Sequence, residues 1–211
     1  MINVKWFGHS MWKISNNDIA IIIDPFTDIG YVMPTAETAD IILSSHDHFD
    51  HNNYALIGGN PEIIKTEGKF NIAGIDIHAF HTFHGETNGS ERGDNLLLRF
   101  NLDNKIFLHC GDIGHMISDG LCEEIGKVDV LLIPIGGHFT INAQTAKKIV
   151  DKLKPKIVFP MHYKTDVLDF PIKPVEKYLK LIDDHHHFNS TQIELTEDSF
   201  VSKQTITLNY E

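Results

Sequence analysis

Four side chains with metal-binding chemistry lie within six residues of one another, in the segment SHDHFDH at residues 45–51. They are His46, His48, Asp50 and His51, and they follow the apolar run at residues 41–43, which is typical of a buried strand. In an extended chain His46 and His48 point the same way, whereas a turn can direct Asp50 and His51 towards a second point. This spacing suits two adjacent metal ions better than one.

Three more potential ligands each follow a predicted strand elsewhere in the chain: His84, Asp112 and His162. Loops at strand ends present functional groups from a rigid scaffold, and Gly111 permits close backbone approach beside Asp112. His81 competes with His84 for the same role, because it lies three residues earlier. Histidine and carboxylate ligands without cysteine suit Zn, Mn, Fe or Co and do not distinguish between them.

Short runs with strand character must position these residues, and a few helix-length segments lie among them. The segment 142–153 has apolar residues at the 3.6-residue spacing of an amphipathic helix, and 119–126 and 174–184 also read as helices. A further helix-length polar segment begins at about Asn52. This order predicts a layered α/β sandwich, with two sheets packed on each other and helices on the outer faces. The 211 residues fit one domain, residues 1–211.

Composition and charge exclude several classes of function. There are 18 Lys and Arg against 29 Asp and Glu, and the net charge of −11 argues against nucleic acid or an anionic membrane as a partner. Two cysteines exclude a disulfide framework and suit a reducing compartment. The start MINVKWFGHS lacks a basic region followed by a signal-length apolar run, so we expect a cytoplasmic protein.

The motifs together resemble the metallo-β-lactamase superfamily. Its HxHxDH signature is intact in residues 46–51, and the further ligands follow in the expected order. Within the superfamily the chain looks most like the ascorbate-phosphate lactonase-type metal-dependent hydrolases. The matching pieces span residues 6–163; they are WFGHS, IIIDP, SHDHFDH, HGETNGSERGDN, CGD, LLIPIGGHFT and PMHY. One departure is Ile113, because relatives usually follow Gly-Asp with Thr.

The resemblance implies a fold, a ligand set and an activity. The fold is a four-layer αββα sandwich with the metal site at one edge of the two sheets. One divalent ion, Zn or Mn before Fe, is held by His46, His48 and His84. A second is held by Asp50, His51 and His162, and Asp112 bridges the two ions. His84 is preferred over His81 because it begins the spacing H-x4-G-x2-RG-x-N, which ends at residue 95.

The implied activity is that of a binuclear hydrolase. A hydroxide between two ions attacks an ester-type bond, so no Ser or Cys nucleophile is needed. Asp50 is the expected catalytic residue, orienting the hydroxide and taking up a proton. The substrate is expected to be a small soluble molecule such as a sugar-acid lactone, with or without a phosphate. A phosphodiesterase or phospholipase-D-like activity is the alternative within the hydrolases.

Alternative roles are open for several other residues. Arg92 is one of two arginines and either holds a substrate phosphate or carboxylate or forms a structural salt bridge. His138 is expected in a loop that contacts substrate. His9 reads as a supporting or packing residue rather than a ligand, and Asp24 as either a support for the ligands or a turn residue. His109 reads as packed, with a possible reserve role as general acid.

Two functions from other classes compete with hydrolysis. A di-iron redox protein is one, although such relatives depend on a flavin partner or an attached flavin domain, for which we expect no room in this chain. A non-catalytic module with a decayed site is the other, although every expected ligand is present. Homo-oligomers are common in such families, but nothing in the sequence identifies an interface. The triplet at residues 185–187 is expected at the surface, at the end of a helix.

Overall fold

The computed structural model describes residues 1–85 and 87–211, which form two β-sheets and three α-helices. In chain order the strands are β1 Ile2–Gly8, β2 Met11–Ser15, β3 Ala20–Ile23, β4 Thr38–Leu43, β5 Gly58–Ile64, β6 Gly68–Ile72, β7 Ile75–Phe83, β8 Asp94–Leu102, β9 Lys105–His109, β10 Val130–Pro134, β11 Ile157–Met161, β12 His185–Phe188, β13 Gln192–Leu195 and β14 Gln204–Leu208. The helices are α1 Asp119–Ile125, α2 Ala143–Leu153 and α3 Glu176–Leu179. Short 3-10 turns are formed by Tyr54–Leu56 and Glu197–Phe200.

The first sheet has the order β13-β1-β2-β3-β4-β5, and the second has the order β12-β14-β11-β10-β9-β8-β7-β6. Strands β3, β4 and β5 run parallel, as do β9, β10 and β11. The carboxyl ends of parallel neighbours meet at one edge of a sheet. Side chains that follow these strands can therefore converge.

The two sheets pack face to face around one large apolar core. Trp12 of the first sheet contacts Phe159 of the second, with ring centroids 5.2 Å apart. Side chains alternate along β3: Ile21 and Ile23 enter this core, and Ile22 enters a second apolar cluster on the opposite face. Burial on both faces explains why β3 is a continuous apolar run and why β4 ends in one, at residues 41–43. The predicted two-sheet α/β sandwich is confirmed.

The outer faces of the two sheets are covered differently. On the second sheet α2 packs against β10, and α3 packs against α2. On the first sheet, among the described residues, the covering comes from loop side chains such as Phe26, Tyr31, Leu168 and Ile172. The helix expected from about Asn52 is wrong, because only the single 3-10 turn Tyr54–Leu56 forms there before β5 begins.

The other helix predictions are met to different extents. Asn142 caps α2 by accepting a hydrogen bond from the Thr145 backbone N–H, and α1 begins at Asp119 as expected. Helix α3 is only four residues long, shorter than the predicted 174–184. The triplet 185–187 lies in strand β12 rather than at a helix end, and two of its three histidines are exposed. None of the described helices is long and apolar enough to cross a membrane.

Candidate metal centre

Every residue of the predicted ligand set lies just beyond the carboxyl end of a strand. The HxHxDH loop follows β4, His84 follows β7, Asp112 follows β9 and His162 follows β11. The turn after β1 adds His9 to the same place. The structure thus brings together all seven predicted ligands and one further histidine.

The first ligand set consists of His46, His48 and His84. Their ring nitrogens lie within 4.8 Å of one another, which is close enough for one metal ion to reach all three. His46 and His48 are half-buried, and His84 is buried. Burial holds the pKa of His46 well below its usual value, with a further contribution from His51, so this imidazole is neutral at pH 7 and offers a lone pair.

The second ligand set consists of Asp50, His51 and His162, and the structure adds His9 to it. His9 Nε2 lies 3.1 Å from Asp50 Oδ2, and the His9 ring lies 4.1 Å from the His162 ring. Burial, together with His162, lowers the pKa of His9 to about 4, so it too is neutral at pH 7. His9 is thus placed to support Asp50, in line with the supporting role expected for it, and it also lies within reach of an ion in this set.

Asp112 lies between the two sets. Its Oδ2 atom is 3.3 Å from His84 Nε2 of the first set, and 3.0 Å from His162 Nε2 and 3.5 Å from His51 Nε2 of the second. One carboxylate thus reaches both sets, which is the placement that the implied bridging role requires.

Asp24 is buried beneath both sets and orients one member of each. Its Oδ2 accepts hydrogen bonds from His51 Nδ1 at 2.9 Å and from Ser45 Oγ at 2.7 Å. Ser45 Oγ in turn lies 2.9 Å from His46 Nδ1. Of the two readings of Asp24, the structure supports the ligand-orienting one, a role that fixes ring orientation and tautomer in metal sites.

Asn95 positions the backbone that carries Asp112. Its Oδ1 accepts from the Asp112 backbone N–H at 2.8 Å, and its Nδ2 donates to the Cys110 carbonyl at 3.1 Å. The approach is so close that a Cβ at Gly111 would collide with the Asn95 and Ser45 side chains. The close backbone approach predicted for Gly111 is confirmed.

Three residues at this edge of the molecule have an unusual backbone conformation. His9, Asp24 and His162 all have φ near +50°, a conformation that non-glycine residues rarely adopt. Such residues persist where the surroundings hold them in place, and they cluster at functional sites. Their positions here follow directly from the convergence of the strand ends.

Three carboxylates, those of Asp24, Asp50 and Asp112, are buried among the imidazoles. Burial works to raise their pKa values, but His51 holds those of Asp24 and Asp50 below the usual range, and His162 with His51 does so for Asp112. The pKa of His51 is raised in return by Asp112, Asp50 and Asp24, although its own burial works to lower it. A divalent cation would take the place of the proton on His51.

The donor atoms fit bound metal ions. His46 Nε2, His51 Nε2 and Asp112 Oδ1 are buried, and none has a hydrogen-bond partner among the described residues. Buried polar atoms are normally satisfied, so three such atoms facing one small region indicate a missing partner. A cation supplies one, and the mixed imidazole and carboxylate donors suit Zn, Mn or Fe.

Two competing histidines lie outside the ligand sets. The His81 ring is exposed and lies 2.9 Å from Asp94 Oδ1, so His84 and not His81 joins the first set. His109 is buried with both ring nitrogens bonded to backbone, Nε2 to the Ser10 carbonyl and Nδ1 to the Gly111 N–H. His109 is therefore packed and cannot serve as a general acid.

Two cavities open onto the cluster. One of about 620 Å³ lies beside His46 and His48, and one of about 190 Å³ lies over Asp50, Asp112 and His162. Arg92, half-exposed, lines both.

The predicted substrate residues differ in their placement. The guanidinium of Arg92 lies 4.6 Å from the Phe139 ring centroid, and none of the salt bridges among the described residues includes it. The smaller cavity is lined by Phe139 rather than by its neighbour His138, which is exposed. The proposed contact between His138 and substrate stays a prediction without geometric support.

Comparison with known proteins gives consistent results. Residues 3–162 match the family described as a Beta-lactamase superfamily domain. A protein of Nanoarchaeum equitans named UPF0173 metal-dependent hydrolase is 30% identical over 215 residues, covering 86% of this chain and 95% of the relative. A protein of the same name from Thermococcus kodakarensis is 31% identical over 193 residues, covering 78% of this chain and 86% of the relative.

A solved structure agrees in fold over its whole length. It is a Thermotoga maritima protein assigned to the Zn-dependent hydrolases of the metallo-beta-lactamase superfamily. It is 33% identical, superimposes with a TM-score of 0.86, and each chain covers 100% of the other.

Proposed function

The chain belongs to the beta-lactamase superfamily, and from this premise we propose that it is a metal-dependent hydrolase acting on an ester-type bond of a small soluble substrate. The observation that carries the proposal is the position of Asp112 between two ligand sets. We propose one ion on His46, His48 and His84, and a second on Asp50, His51 and His162. Bound divalent ions would lower the pKa of water and polarise the scissile group.

The chain's own residues would supply the remaining functions. Asp50 lines the smaller cavity and is held as a carboxylate by His51 and His9. We assign it the role of accepting a proton from the attacking water. His9, whose Nε2 lies 3.1 Å from Asp50 Oδ2, would hold that carboxylate in position.

Arg92 would bind the anionic part of the substrate. Its guanidinium is free to present its planar fork to a phosphate or carboxylate, because one face rests on Phe139 and its edges remain unpaired among the described residues. Lys65 adds a second cation to the larger cavity. A sugar-acid lactone carrying a phosphate has the required charge, and a phosphodiester has it as well.

Initial rates on a small panel test the proposal. The protein, loaded with Zn or with Mn, is given sugar-acid lactones with and without a phosphate, and a generic phosphodiester. We expect turnover of the anionic lactone that falls in Arg92→Gln and persists in the matched control Arg99→Gln. Turnover of the phosphodiester alone would instead support the alternative, a phosphodiesterase or phospholipase-D-like hydrolase.

Two outcomes would overturn the proposal. One is a metal-loaded protein that hydrolyses no member of the panel. The other is a protein purified with two Fe and a visible charge-transfer band, which would favour di-iron redox chemistry instead.

A further inference from the structure

Three phenylalanines line the cavity of about 190 Å³ that lies over the second ligand set. They are Phe49, Phe139 and Phe170, and they come from three separate loops. Their rings offer apolar surface beside the metal ligands, which suits an apolar part of a substrate.

Two of the three rings, Phe139 and Phe170, pack against each other. Phe139 and Phe170 meet edge to face, with centroids 5.8 Å apart, and Phe170 meets the His9 ring edge to face at 5.6 Å. Arg92 lies over the ring of Phe139. These contacts hold Phe139 and Phe170 beside the second ligand set.

Phe49 stands at the mouth of the cavity and is 57% exposed, although it lies within the HxHxDH loop. Its backbone carbonyl accepts hydrogen bonds from the Thr27 N–H and from Thr27 Oγ1, at 3.1 and 2.9 Å. The backbone is thus anchored while the ring is left facing solvent. A large apolar side chain held in water at the edge of a site gains free energy when a ligand covers it.

The larger cavity beside the first ligand set has the opposite character. Its walls include Asp47, Lys65, Thr66 and Glu67, all exposed. The two cavities share only His48 and Arg92 among the residues that line them. The metal ligands therefore stand at the junction of a polar cleft and an apolar pocket.

We propose that the substrate has two parts, an anionic polar part in the cleft beside Arg92 and Lys65 and an apolar group, aryl or short alkyl, in the pocket formed by Phe49, Phe139 and Phe170. This inference rests on the proposed hydrolase function and narrows its substrate class. The scissile bond lies between the two parts, over Asp112. An apolar cavity of about 150 Å³ is large enough to bind benzene, and the proposed ions would occupy part of this pocket of about 190 Å³, so it holds at most one ring or a short chain.

Binding of two probes to the metal-loaded protein tests the pocket without requiring turnover. Phenylphosphonate and methylphosphonate carry the same anionic group and differ in the apolar part. We expect calorimetry to show phenylphosphonate binding roughly tenfold more tightly or better, because the ring is removed from water. Equal affinity of the two probes would overturn the inference.

Matched variants test whether Phe49 produces the preference for phenylphosphonate over methylphosphonate. Phe49→Ala removes a ring that is not in the core, and we expect it to abolish most of the difference between the probes. Phe188→Ala is the control, because Phe188 is also exposed (39%) but lies in β12 and lines neither cavity. A preference that survives Phe49→Ala, or that is lost equally in Phe188→Ala, would contradict the assignment of the pocket.

Turnover measurements distinguish failure of the apolar-pocket inference from failure of the hydrolase proposal. A protein that prefers phenylphosphonate and hydrolyses no ester retains the pocket and refutes the hydrolase proposal. A protein that hydrolyses lactones with and without an apolar substituent at equal kcat/KM, and binds the two probes equally, retains the hydrolase proposal and refutes the pocket.

Discussion

The two ligand sets differ in composition and in surroundings. The first contains only imidazoles, and two of its three members are half-buried beside the larger cavity. The second contains a carboxylate as well, and its histidines are buried. His51 of the second set is hydrogen-bonded directly to Asp24, whereas His46 of the first is connected to Asp24 through Ser45.

This difference predicts that the two sets bind their metal ions with unequal affinity. We expect the second set to bind its ion more tightly, because its donors are charged, buried and directly oriented. We expect the first set to exchange its ion more readily, because it faces the open cleft. Asp112 reaches both sets, so its substitution should affect both ions. Substitutions elsewhere should affect one set more than the other.

The largest effect is expected from Asp112→Ala. The substitution removes the one carboxylate within reach of both sets, and both metal occupancy and activity should fall to near background. Metal analysis with a parallel rate measurement checks this, with circular dichroism confirming that the variant folds. Normal occupancy by two ions would show that Asp112 is not the bridge.

Asp24→Asn should affect the second set more than the first. Loss of a residue that orients metal ligands typically weakens metal binding by roughly 10–100-fold, and His51 loses its partner directly. Competition with a chelator measures both affinities. Asp129→Asn is the matched control, because Asp129 is also buried and accepts a backbone hydrogen bond but lies outside both ligand sets. An equal loss of metal affinity at both sets would contradict the expectation that Asp24 supports the second set more directly.

His9→Gln should weaken the second set alone, by roughly tenfold, if a supporting or additional ligand is lost there. His9 touches Asp50 and His162 and no member of the first set among its described contacts. The same chelator competition provides the readout. Unchanged affinity of the second set would return His9 to a packing role.

The smallest effect is expected from His81→Ala. Its ring is exposed and hydrogen-bonded only to Asp94 among the described residues, so metal content should match that of the unaltered protein. His84→Ala, three residues along, serves as the contrasting variant and should empty the first set. An effect of His81→Ala on metal content would reverse the choice between the two histidines.

Much of the ligand cluster could be predicted because its signals are local. Residues 46–51 are close in sequence, and His84, Asp112 and His162 each follow a strand whose end lies at the same edge of the fold. The division of these side chains between two ions is what the resemblance to the metallo-β-lactamase superfamily implied. The two-sheet sandwich was predicted from the many short strand-like runs with helix-length segments among them, and the family resemblance implied the same fold.

The sequence was less informative where tertiary contacts decide the outcome. His9 joins the cluster because β1 and β2 pair with a register irregularity between Trp6 and Gly8, and Gly8 has a φ of 118° that turns the chain there. The GHS segment signals a turn but not its direction. The segment after Asn52 has helix length without helical periodicity, and pairing of β5 with β4 determines its conformation.

The apolar pocket was missed for a related reason. Phe49, Phe139 and Phe170 lie far apart in sequence, and each is an ordinary core candidate by composition alone. Only the folded loops show that they surround one cavity. The sequence suggests His138 as a substrate contact, whereas it is the neighbouring Phe139 that lines the cavity.

Metal stoichiometry tests the central claim, that two separate ligand sets meet at Asp112, most directly. The protein and the variants His48→Ala and His162→Ala would be loaded with Mn or Zn, and bound metal counted per chain. The account predicts two ions in the unaltered protein and one in each variant, with the remaining ion at the opposite set. A single ion in the unaltered protein, lost completely in both variants, would contradict it.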